Sequence, residues 1–338
     1  MKAVRYHGPN QPLKLEEVPV PDVGPGEVLI KVQAAGICHT ELHFLSGLLD
    51  LGVKPLTLGH EIAGVVEATG PGVDFPRQGD RVVVYYYVGC GSCGYCLRGE
   101  ENLCGSPRAE YGFISDGGFA EYVKVPARNA VPIPEHIGTA EIAPIGCSVT
   151  TAIHAGRLAG LQAGQTVLVY GIGAVGFGLI QLGRLAGTTV IAVGRSAEKI
   201  ERAEALGAHH VISAEKENVP ERVRQITGGH GADVIFELVA TSQTMQHSVD
   251  CVAKRGKIVF IGYSFDTFNV HPIQLVIKEA SVLGSVGNTL EELHLAVRWV
   301  AEGKIRTVVD KTLGLERFQE AIDGLKAGKL VGRAVLTP

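Results

Sequence analysis

The run Thr166-Val-Leu-Val-Tyr170, followed at once by Gly171-Ile-Gly173-Ala-Val-Gly176, constrains this chain more than any other stretch. An apolar strand gives way to three glycines in G-x-G-x-x-G spacing, and Ala174–Ala186 has the length and Leu/Ile/Ala content of a helix. That spacing alone is weak evidence in a chain where 44 of 338 residues are glycine. Set between a buried strand and a helix, it specifies a strand–turn–helix unit of dinucleotide-binding type. The first glycine permits the tight turn. The second lets backbone N–H groups approach a pyrophosphate at the helix N-terminus, and the third lets helix and strand pack closely. Leu158–Gly183 carries no charge, yet its glycines and mid-segment turn fit strand, turn and helix better than a membrane span.

The same alternation continues downstream. Val190–Val193, His210–Ile212, Asp233–Leu238, Lys257–Ile261 and Ser281–Ser285 read as strands; Ala197–Leu206, Val219–Ile226 and Thr244–Ala253 read as helices. Six strands with intervening helices predict an α/β, doubly wound parallel sheet covered on both faces, spanning residues 148–285. The first 147 residues differ: short apolar runs (Val28–Val32, Ile62–Glu67, Arg81–Tyr87, Ala120–Val125) separated by Pro and Gly predict an irregular β-rich domain. Residues 286–338 are expected to pack back against it.

The second strand of the dinucleotide unit ends in Gly194-Arg195-Ser196, and no Asp or Glu occurs from Gly171 to Ala197. An NAD site of this kind places a carboxylate there for the ribose 2′-hydroxyl. Without one, a 2′-phosphate meets no like charge, and Arg195 with Ser196 can bind it, so NADP is favoured over NAD. The alternative use of Arg195 is stacking over the adenine of NAD. On this reading Gly194→Asp turns the preference toward NAD.

Seven cysteines, an odd number with four crowded together, do not read as a secreted disulfide framework. Cys90-x2-Cys93-x2-Cys96-x7-Cys104 places four thiols within reach of one point. Four thiolates close a tetrahedral zinc site and leave no open position, which makes the site structural; an iron–sulfur cluster is the other occupant that four thiolates hold. A second constellation is Cys38, His60-Glu61 and Cys147. Two thiolates, an imidazole and a water make a zinc centre with one exchangeable position.

On these motifs the sequence resembles the zinc-containing alcohol dehydrogenases of the medium-chain dehydrogenase/reductase superfamily, over essentially its whole length. G-H-E-x2-G-x5-G (Gly59 to Gly70) and the four-cysteine lobe at 90–104 carry the resemblance. It implies a GroES-like catalytic domain (1–147 and 286–338) and a Rossmann domain (148–285). It implies two zinc ions per subunit: Cys38, His60 and Cys147 as catalytic ligands, with Glu61 as a carboxylate that replaces water, and Cys90, Cys93, Cys96 and Cys104 as structural ligands. Cys251 is left as an ordinary buried thiol. Thr40 then takes the alcohol proton and His43 receives it. His39 and Arg333 match pyrophosphate contacts, Thr151 and Gly262 match nicotinamide contacts, and Tyr86 matches a substrate-pocket residue. Glu41 stands where the family commonly has Asp behind the histidine ligand, so its longer side chain must fold back or shift the backbone.

The activity implied is hydride transfer between a primary or aromatic alcohol, or its aldehyde, and NAD(P). The competing readings are an enoyl- or acryloyl-type C=C reductase, whose members often lack the zinc ligands, and a non-catalytic NADPH-binding protein. A net charge of −4 argues against nucleic acid and anionic membranes as partners. No apolar segment follows the basic N-terminal residues in the manner of a signal peptide. A cytoplasmic homo-oligomer, tetramer or dimer, is expected.

Overall fold

Glu27–Gly36 is the strand on which the first unit is built. Its burial alternates along the middle and becomes continuous at the end, as befits a strand covered on both faces. It pairs antiparallel with Glu61–Thr69, Tyr122–Pro126 and Arg333–Thr337. These belong to a seven-stranded sheet that also holds Ala130–Pro132, Arg81–Val84 and Val309–Gly314. The computed structural model describes residues 1–338. Two compact units result: Met1–Thr150 with Asn288–Gly303 and Thr307–Pro338, and Thr151–Gly287 with Lys304–Arg306.

The second unit is a six-stranded sheet, every neighbouring pair parallel. Its order is His210–Ser213, Thr189–Gly194, Thr166–Tyr170, Ala232–Glu237, Val252–Phe260, Ser281–Gly284. This is the doubly wound Rossmann architecture, and the order reverses at Thr166–Tyr170, where such sheets bind ligands. Leu168, Tyr170, Ile191, Val193, Ile235 and Ile258 project to one face and pack on Val219 and Val223 of the helix Val219–Ile226 and Val249 of the helix Ser242–Cys251.

One boundary departs from the sequence reading. Thr244–Ala253 was expected as helix and Lys257–Ile261 as strand. The helix instead ends at Cys251, and the strand starts at Val252. Between the pairs Ala232↔Val252 and Val234↔Lys257 the register slips, with Arg255 at φ 60°. This bulge carries residues that periodicity alone cannot assign. No helix is long and apolar enough to cross a membrane.

Candidate metal and dinucleotide sites

Three strand ends assemble the first site. The register sets Gly36 opposite Glu61 and opposite Val335, so the residues just past Gly36, just before Glu61 and just before Val335 meet at one end of the sheet. These are Cys38, His60 and Arg333. The turn Ala143–Gly146 packs against the same strands and delivers Cys147. One ligand atom from each of Cys38, His60, Glu61 and Cys147 lies within 4.8 Å of the others, and all four residues are buried. Two soft sulfurs, an imidazole nitrogen and a carboxylate at this separation suit one zinc ion.

The electrostatics of the cluster follow from that crowding. A hydrogen bond with Cys147 lowers the Cys38 thiol well below its ordinary value and raises Cys147 well above its own. Burial pushes the His60 imidazole down, but the neighbouring Cys38 and Glu41 outweigh it and raise it to about 10. Protons and a divalent cation compete for these atoms. Glu41 folds back: one oxygen accepts from the Cys38 backbone N–H at 2.6 Å, as the third residue of the helix His39–Ser46, and the other stands 3.5 Å from His60 Nδ1. The latter distance is long for a hydrogen bond, and His60 Nδ1 has no other partner.

Arg333 was expected at the pyrophosphate. In this structure it is 3% exposed, and its guanidinium is engaged at Glu61 (Nε to the two oxygens at 2.9 and 3.1 Å, Nη2 at 2.7 Å) and at Cys38 Sγ (3.2 Å). The reason is the register just described, which buries the first residue of Arg333–Thr337 beside the site. Burial raises Glu61 to about 7 even against the pull of Arg333.

Thr40 and His43 lie three residues apart on the helix His39–Ser46, hence on neighbouring positions of one face. Thr40 Oγ1 donates to Cys38 Sγ at 3.6 Å. Burial lowers the His43 imidazole. His39, at the start of the helix, is exposed. Tyr85 and Tyr86 fall between the strands Arg81–Val84 and Tyr87–Val88, so Arg81–Tyr87 is not the single strand expected; all three tyrosines are buried. The Tyr86 ring centroid lies 5.2 Å from that of His60, and Phe113 lies 5.0 Å from it, with Tyr86 and Phe113 stacked at 5.6 Å. Sequence reasoning missed Phe113. The one available signal was that the chain after Cys104 must return past the tyrosines, which the pairing of Tyr87–Val88 with Ala109–Glu110 accomplishes.

In the lobe, Cys90, Cys93, Cys96 and Cys104 also hold their sulfurs within 4.8 Å of one another. The Cys90–Cys96 and Cys93–Cys104 separations are both 3.9 Å. A tetrahedral ion with Zn–S bonds of about 2.3 Å puts its sulfurs about 3.8 Å apart, so one zinc fits. An iron–sulfur cluster spreads its thiolates over several irons and needs them further apart. Backbone N–H groups of Ser92 and Cys93 point at Cys90 Sγ (3.5 and 3.3 Å); with the Ser92 hydroxyl they lower that thiol to about 5.

In the second unit, Gly171 has φ +110° and Gly176 approaches so closely that an added Cβ would lie 2.3 Å from Gly171 O. At Gly173, which caps the helix Ala174–Leu185, an added Cβ would meet nothing in the protein. The space above it is the cradle a pyrophosphate fills. Gly262 lies against the Leu238 backbone, and Thr151, in the first turn of Ser148–Ala159, is buried. Arg195 is exposed, and Ser196 caps the next helix by accepting from Lys199 N–H. A Cβ at Gly194 would sit 2.2 Å from Ile172 Cδ1, so Gly194→Asp displaces a neighbour as well as adding charge.

Residues 24–135 match the family model for the alcohol dehydrogenase GroES-like domain, and residues 174–302 match that for zinc-binding dehydrogenases. The chain is 39% identical to an NAD-dependent alcohol dehydrogenase of Sulfurisphaera tokodaii over the full length of both proteins. The chain belongs to the zinc-containing alcohol dehydrogenase family. A second relative of this family, the NAD-dependent alcohol dehydrogenase of Saccharolobus solfataricus, is 38% identical, again over both full lengths. The crystal structure of the alcohol dehydrogenase from Aeropyrum pernix matches this dehydrogenase with a TM-score of 0.93 at 32% identity, covering 100% of both chains.

Proposed function

We propose that the protein is a zinc-dependent alcohol dehydrogenase, equally an aldehyde reductase, that moves a hydride between a primary or aromatic alcohol and NAD(P), with NADP favoured. The convergence of Cys38, His60 and Cys147 on one buried point, with Thr40 and His43 on the helix that follows Cys38, carries this reading. When bound, zinc supplies Lewis-acid polarisation of the substrate oxygen, and the nicotinamide takes or gives the hydride. The chain does the rest. Cys38, His60 and Cys147 would hold the ion, Glu61 offers a carboxylate at the same point, and Glu41 stands beside the His60 ring. Thr40 Oγ1 takes the substrate hydroxyl proton, and His43, kept neutral by burial, accepts it. Tyr86 and Phe113 wall the substrate side with aromatic surface and exclude water. Arg333 neutralises Glu61 and Cys38. Gly171, Gly173, Gly176 and Gly262 give the dinucleotide its backbone contacts. The lobe holds a second, structural zinc.

Elemental analysis of the purified protein is expected to find two zinc ions per subunit, and Cys147→Ala to keep one and lose turnover of benzyl alcohol. A wild-type protein holding a single ion, in the lobe alone, would remove the chemistry from this reading.

The cofactor preference rests on the absence of any carboxylate from Gly171 to Ala197 and on the exposed Arg195. The names of the relatives above point to NAD, so the preference is a feature of this chain's own residues. Arg195→Ala is expected to lower kcat/KM for NADP about 10-fold or more while changing that for NAD less than about 3-fold. A wild-type enzyme that works better with NAD, or an equal loss for both cofactors, would overturn the NADP assignment.

A further inference from the structure

One acidic side chain beside the metal cluster has no task in the scheme above. Glu110 ends the short strand Ala109–Glu110 and is half-buried. It stands directly opposite Tyr87 in the antiparallel pair, which puts both side chains on one face of the ribbon. Its neighbours are fixed. The N–H of Tyr111 donates to Tyr86 O at 2.9 Å, and the Glu110 carbonyl accepts from the N–H groups of Phe113, Ile114 and Ser115 at 3.0, 2.9 and 3.1 Å. Glu110 therefore sits on a rigid turn between Tyr86 and Phe113, the two rings packed on His60. Its half-buried carboxylate receives no hydrogen bond or ion pair from the chain.

A half-desolvated carboxylate in an aromatic wall is stabilised when a ligand brings a donor to it, and disfavours a ligand that covers it with methylene groups. We propose that Glu110 is a specificity-determining residue, which accepts a hydrogen bond from a hydroxyl or ammonium group carried on the substrate beyond its reacting carbon. The proposal rests on the alcohol dehydrogenase reading and narrows its substrate class from plain alkanols to diols and amino alcohols.

The test compares 1-pentanol, 1,5-pentanediol and 5-amino-1-pentanol, matched in length. Calorimetric binding to the zinc-loaded, cofactor-saturated protein is measured alongside kcat/KM. The wild type is expected to bind and turn over at least one donor-bearing compound about 10-fold or more better than 1-pentanol. Glu110→Leu should abolish or reverse that ratio while keeping two zinc ions and the wild-type circular dichroism. Glu110→Gln, the variant nearest in shape, should keep the preference for the diol and lose that for the amine. The same ratios in wild type and both variants would overturn the role of Glu110. Binding with these ratios but no turnover of any of the three would leave Glu110 its role and sink the dehydrogenase reading instead.

Discussion

Replacing Arg333 with leucine is expected to destabilise the first unit by about 3–5 kcal/mol, the range for removing one partner of a buried ion pair. The side chains of Arg333 and Glu61 are 4% and 0% exposed, and the guanidinium also lies against Cys38 Sγ. Taking it away strands a carboxylate and a thiolate with no solvent to receive them. Glu61, already raised to about 7 by burial, would have to take up a proton. The single tryptophan, Trp299, belongs to the same compact unit, so its fluorescence in a urea titration reports the right transition. The double variant Arg333→Leu/Glu61→Leu removes both charges and should recover most of the loss, since two apolar side chains leave nothing unpaired. A single variant that loses less than about 1 kcal/mol, or a double variant worse than the single, would show that the pair is not holding the site together.

Arg333 also marks how far the sequence can be read. The glycine turn, the parallel sheet and both sulfur clusters were legible because each depends on short-range rules: strand length, turn chemistry and ligand spacing. The position of Cys38 beside His60 was legible only through a resemblance. Its physical cause is the pairing of Gly36 with Glu61, and register is a tertiary fact. The partner of Arg333 lies 272 positions away and is chosen by the insertion of Arg333–Thr337 next to Glu27–Gly36. Nothing local to Gly332-Arg333 announces it, so the ion pair with Glu61 is not legible in the sequence. Glu110 and Phe113 were missed for a related reason. Their segment has no periodicity of its own and is ordered by a two-residue pairing with Tyr87–Val88. Glu41 is the opposite case. A glutamate at the third position of a helix caps the residue before its first turn, and the requirement that it fold back could be stated from the sequence.

Thr40→Val is expected to lower kcat for alcohol oxidation by about 10²–10⁴, the span for a group that moves a proton in the rate-determining event. Valine keeps the branched shape and the fit in the first turn of His39–Ser46, and it deletes the one hydroxyl aimed at Cys38 Sγ. Loss of that weak contact, 3.6 Å long, is too small a change to unfold the turn. The zinc content and the dissociation constant for the oxidised cofactor should therefore stay at wild-type values, confining the defect to the chemical step. Thr40→Ser restores a hydroxyl at the same place and should recover most of the rate. His43→Ala provides the second readout. If the proton leaves by way of that imidazole, its loss should lower kcat less than Thr40→Val does, because water can serve as final acceptor but cannot replace Oγ1 at the substrate. Small primary amines or imidazole in the buffer should then rescue His43→Ala and leave Thr40→Val unaffected. Wild-type kcat in Thr40→Val would end the relay. Equal chemical rescue of both variants would assign Thr40 to the packing of the helix and leave the proton another route.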